Sequence, residues 1–73
     1  MSGLTGLRTK AVINILLKLG YVVDHQVGSH IVMYKEGSLP IIVPNHNRDL
    51  KKGTLHTIIR SAGVSPEEFI LLK

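Results

Sequence analysis

Three short runs rich in β-branched and aromatic residues, YVVDHQ, HIVMYK and LPIIVP, follow one another between residues 21 and 44 with only tight turns between them. A parallel crossover needs about a dozen residues or more, and no connection here is that long. The runs therefore predict three antiparallel strands in a meander, each bounded by Gly, Ser or Pro, with KEGSL as a hairpin turn between the last two. Such a sheet has to bury one face, and the flanking segments supply the cover. From Thr9 to Leu19 the apolar residues Val12, Ile15, Leu16 and Leu19 recur at helical spacing, with Thr9 as the expected N-cap and Gly20 at the left-handed C-terminal position. After Pro44 a polar, basic loop, NHNRDLKKG, leads to Thr54, the expected cap of a second helix in which Leu55, Ile58, Ile59 and Ala62 repeat the core spacing and which Gly63 closes. Ser65, Pro66 and Glu68 make the capping-box signature of a short last helix carrying Phe69, Leu71 and Leu72. The order is α-β-β-β-α-α, an α+β fold with helices on one face of a three-stranded antiparallel sheet. The other face is left open, and function is expected on it or at its rim.

The 73 residues suffice for one domain, 1–73, since a chain this short has no material for a second core. A hydrophobic content of 44% against 19% charged residues is that of a folded protein. No cysteine is present, which removes disulfides and thiolate zinc sites and fits a reducing compartment such as the cytoplasm. No apolar run approaches the roughly 20 residues of a membrane span, so a membrane partner is not expected. The net charge of +4 favours polyanions, and the excess is local: between Pro44 and Gly63 stand Arg48, Lys51, Lys52 and Arg60 against Asp49 alone.

His30 is the residue most in need of explanation, because it opens an apolar strand directly after Gly28 and Ser29. Alternation puts it on one face with Val32 and Tyr34, and Ile31 and Met33 on the other. An ordinary half-buried strand histidine would also account for it. If the ring meets a phosphodiester, it can take or give a proton, since imidazole is the side chain best suited to proton transfer near neutral pH. Ser29 is a turn or phosphate-contacting hydroxyl rather than a nucleophile, since strand neighbours point to opposite faces. Lys51 and Lys52 ahead of Gly53 and Thr54 bring two ammonium groups to the positive end of a helix, where one anion can be held. His56 and Arg60 extend that positive stripe along the outer side of the same helix; a solvated charged face is the plainer reading. His25, His30, His46 and His56 lack the spacing of a zinc motif, and Asp24, Glu36 and Asp49 are too scattered for a two-metal nuclease, so no metal or other cofactor is expected.

The combination of Gly28-Ser29-His30, Val43-Pro44 with His46, Asp49-Leu50-Lys51, Gly53-Thr54-Leu55 and Ala62-Gly63, in this order, resembles the HicA toxins of bacterial and archaeal HicAB toxin–antitoxin systems, over roughly residues 9 to 70. The resemblance implies a fold like a double-stranded-RNA-binding domain and the activity of an mRNA interferase, a ribosome-independent endoribonuclease whose catalytic residue is the histidine of the Gly-Ser-His motif, here His30. Many members carry a second histidine directly after it, where this chain has Ile31. The resemblance also implies a HicB antitoxin as partner, beside RNA.

RNA carries its own nucleophile, the 2′-OH, so such an enzyme has to align it, move protons and stabilise charge without a metal. His30 would move a proton, with His46 or water as second participant, while Ser29, Lys51, Lys52, Gly53, Thr54, His56 and Arg60 would hold RNA. Ile13 and Leu17 widen the apolar face of the first helix and form a candidate antitoxin docking patch; burial under the last helix is the competing expectation. From a different class, a non-catalytic RNA-binding module of the same shape would use the same basic loop.

Overall fold

The computed structural model describes residues 6–73; the expected domain 1–73 therefore includes residues 1–5, which lie outside the described residues. The elements are α1 (Thr9–Lys18), β1 (Val22–Val27), β2 (His30–Tyr34), β3 (Ile41–Pro44), α2 (Lys52–Ala62) and α3 (Pro66–Leu71). The strands form one antiparallel sheet in the order β1-β2-β3. The expected α+β architecture with an open three-stranded sheet is the observed one.

The helices cover only part of the sheet. Ile31 and Met33 of β2 and Ile41 and Val43 of β3 face inward and are buried with Val12, Ile15 and Leu16 of α1, Leu55, Ile58 and Ile59 of α2, and Phe69 of α3. All six residues of β1 are exposed, so this edge strand overhangs the helix layer. Leu7, Tyr21 and Leu50 complete the core from outside the regular elements. Tyr21 is therefore not the first residue of β1. It packs inward as the residue after Gly20, at φ +100°, where the N–H groups of Gly20 and Tyr21 close α1 on the carbonyls of Leu17 and Leu16. Strand β3 likewise starts after Leu39 and Pro40; Leu39 is 85% exposed and contributes nothing to the core.

Two expected caps are displaced. Arg8, not Thr9, precedes α1, and Lys51, not Thr54, precedes α2; neither makes a side-chain cap bond. Thr9 lies inside its helix and its hydroxyl is engaged elsewhere, as described below. Helix α2 begins early because Leu50 is buried and its N–H donates to the Leu7 carbonyl at 2.8 Å, leaving the chain no slack before the first turn. The cap of α3 is as read: Ser65 Oγ accepts from the Glu68 N–H at 3.1 Å, and Glu68 Oε1 accepts from the Ser65 N–H at 2.9 Å. Of the residues assigned to this helix, Phe69 is fully buried, Leu72 packs partly against the core, and Leu71, 83% exposed, points to solvent.

Candidate functional site

Strand pairing fixes what shares a face with His30. Residues directly opposite in an antiparallel ladder project to the same side, and His30 lies opposite Val27 on β1 and Pro44 on β3. The same pairing continues through Val32, flanked by His25 and Ile42, and Tyr34, opposite Val22. His30 thus stands on the face that the helices do not cover, and it is exposed rather than half-buried. On the same face Val27 and Ile42 near it, and Val22 at the far end of the strand pair, are each more than half exposed, an apolar surface that also carries His25 and His30.

The end of the sheet that carries His30 is also where the basic loop departs. The tight turn at Gly28, φ +57°, and Ser29 delivers the chain into β2, and the Ser29 carbonyl accepts from the Asn45 N–H at 2.7 Å, extending the β2–β3 ladder beyond Pro44. From there the loop is pinned to α1. Thr9 Oγ1 donates to the Pro44 carbonyl at 2.6 Å and accepts from the His46 N–H at 3.1 Å, and Thr9 is buried. This explains why Thr9 does not cap: both functions of its hydroxyl are used to anchor the loop. Arg8 pairs with Asp49 at 3.4 Å across the same junction, an exposed contact that adds at most about 1 kcal/mol. A shallow groove runs from Pro44, the ladder partner of His30, past His46 and Arg48 to Lys51 and Thr54.

Lys51 lines the far end of this groove, Lys52 and Gly53 beside it are exposed at the start of α2, and the first amide with an intrahelical bond is that of Leu55, to the Lys51 carbonyl at 3.0 Å. The N–H groups ahead of it form the usual positive end of a helix. His56 and Arg60 are exposed on α2, in the helix layer, and the structure does not bring them onto the face of His30. His46 sits on the α1 side of the sheet end, lining a second depression with Ile13 and Ile31. Of the two apolar residues on the margin of α1, Ile13 packs partly against the core while Leu17 is 46% exposed beside Lys18 and Lys73.

The sequence reading missed the anchoring role of Thr9, whose Ser/Thr-before-helix signal is the same as that of a cap. It also missed a break in the β1–β2 register between Val23 and His25, for which there is no residue signature at this position. Among the described residues no three His, Asp or Glu side chains gather as a metal-binding group, and no helix is long and apolar enough to cross a membrane.

The Thr9 anchor has a measurable consequence. Thr9→Val keeps the side-chain volume but removes the hydroxyl that bonds the Pro44 carbonyl and the His46 N–H, two part-buried bonds worth about 0.5–1.5 kcal/mol each. Thermal melting is expected to show that loss, and amide exchange at Asn45 and His46 should accelerate; unchanged exchange there would mean that the loop is held by something else.

A sequence model of the family described as HicA toxin of bacterial toxin-antitoxin matches residues 9–64. No curated protein matches the chain.

Proposed function

Because the chain belongs to the HicA toxin family, and so is the toxin of a toxin–antitoxin system with a HicB-type antitoxin as its implied partner, we propose that it is a metal-independent endoribonuclease that cleaves mRNA in the cytoplasm with His30 as catalytic acid/base. The observation that carries this reading is the placement of His30: an exposed imidazole on the uncovered face of the sheet, at the strand end where the groove toward Lys51 begins. A binding module has no need of a proton carrier there.

The roles follow from the chemistry of RNA. Attack of the 2′-OH on the adjacent phosphorus needs its proton removed and a proton supplied to the departing 5′-oxygen. The ring of His30 stands free of protein partners among the described hydrogen bonds, so both of its nitrogens are open to substrate. Lys51 and Lys52, with the first amides of α2, supply positive charge to phosphate along the groove. Ser29 at the turn and Thr54 at the groove end offer hydroxyls, and His56 and Arg60 would serve a strand that continues over the helix layer. The exposed Leu17, with Ile13 beside it, supports an apolar antitoxin contact on α1.

The test is incubation of the purified chain with mixed-sequence RNA in excess EDTA, with product ends resolved chemically. Cleavage leaving 2′,3′-cyclic phosphate and 5′-hydroxyl ends is the expected result. A 5′-phosphate product or a strict requirement for magnesium would defeat the proposed route, and RNA binding without cleavage would make the chain a non-catalytic RNA-binding module.

A further inference from the structure

The break in the β1–β2 register places one extra residue, Asp24, in the bulged strand: Val23 lies opposite Met33, and the next pair is His25 with Val32. In an unbroken ladder Asp24 would face Val32 and His25 would turn toward the inner face. The bulge moves His25 onto the open face instead, and bulges commonly re-aim a side chain beside an active site. It also lets two consecutive side chains meet, which regular alternation forbids: His25 Nδ1 lies 2.7 Å from Asp24 Oδ2. His25 pairs with Val32 and His30 with Val27, so the two histidines are diagonal neighbours on one face. Diagonal positions lie about 7–8 Å apart, a span at which two imidazoles can address opposite sides of one phosphodiester.

Building on the ribonuclease reading above, we infer that His25 is the second proton carrier of the reaction and that Asp24 is its positioning residue. His30 takes the proton of the 2′-OH as the bond from 2′-oxygen to phosphorus forms. His25 gives a proton from Nε2 to the 5′-oxygen as the bond from phosphorus to that oxygen breaks. Products are a 2′,3′-cyclic phosphate and a 5′-hydroxyl; water returns the proton from His30 and to His25, and no oxidant, reductant or metal is consumed. The assignment of His25 to the leaving oxygen rests on its contact with Asp24, which engages Nδ1 and leaves Nε2 free; in its protonated form the ring keeps this contact and carries on Nε2 the proton that the leaving oxygen takes. His46 is the weaker candidate for this role, because its backbone is tied to Thr9 on the α1 side. The titratable side chains sharing the open face with this pair are Tyr34 and, at the bulge, Asp24.

Single-turnover cleavage by wild type, His25→Asn, Asp24→Asn and His30→Ala, each with its RNA affinity and pH profile, tests this. His25→Asn should lose about 100-fold or more in rate, keep its affinity, and lose the alkaline limb of the profile. A substrate with a nitrophenolate leaving group at the 5′ position, which needs no protonation, should restore its rate but not that of His30→Ala. Asp24→Asn should fall between wild type and His25→Asn, with unchanged affinity. A His25→Asn rate equal to wild type while His30→Ala is inactive overturns the inference and leaves the ribonuclease reading standing. So does a slow His25→Asn whose loss is all in affinity with an unaltered pH profile. Absence of cleavage by the wild type would overturn the ribonuclease reading itself and the inference with it.

Discussion

His30→Ala is expected to lower RNA cleavage by about 10²–10⁴-fold, the usual worth of a positioned proton carrier, and to abolish growth arrest when the chain is produced without antitoxin. The variant should be as stable as the wild type. His30 is exposed, its side chain faces away from the buried Ile31 and Met33, and its ladder bonds to β1 and β3 are made by backbone, which alanine retains. Substitutions at such positions usually change stability by less than about 0.5 kcal/mol. The separation of the two effects is the informative part. A variant that melts with the wild type, binds RNA with the same affinity and does not cleave assigns the loss to chemistry. Retained growth arrest in a stable His30→Ala protein would remove the enzyme reading and leave RNA binding through the basic loop as the source of toxicity.

The face on which His30 lies was legible from sequence because the Gly-Ser turn starts the strand and the period-2 pattern after it turns Ile31 and Met33 inward; a catalytic role for it is what the resemblance implies. The strand order was legible for a similar reason, since short connections permit one topology. Other features depend on partners distant in the chain. Thr9 reads as a cap until the loop some thirty-five residues later claims its hydroxyl at Pro44 and His46. Leu71 reads as core until α3 is docked through Phe69, which leaves Leu71 facing outward. The register break at Asp24 has the least local signal of all: VVDHQV satisfies strand propensity whether or not it is bulged, and only pairing with β2 shows that His25 lies on the open face, with Asp24 in contact with it. Placements set by local pattern were legible; placements set by register or by a remote acceptor were not.

The second large effect lies outside the part of the chain that the family match covers. That match ends at residue 64, yet Phe69 of α3 is fully buried and belongs to the same core as Val12, Leu16 and Leu55. Phe69→Ala removes an aromatic ring from a packed interior and is expected to cost about 3–5 kcal/mol. A domain of this size has roughly 4–11 kcal/mol in total, so the variant should melt about 12–40 °C lower or fail to accumulate folded. Leu71→Ala, two positions along the same helix, is the matched control. With its side chain 83% exposed it should be nearly neutral. Equal, small effects at both positions would mean that α3 does not dock as described and that the core closes without it. Loss of toxicity in Phe69→Ala should also track the loss of folded protein and be relieved at low temperature, whereas a chemical defect at His30 persists at every temperature at which the domain is folded. The two variants therefore separate the residue proposed to react from the residue that holds the fold together.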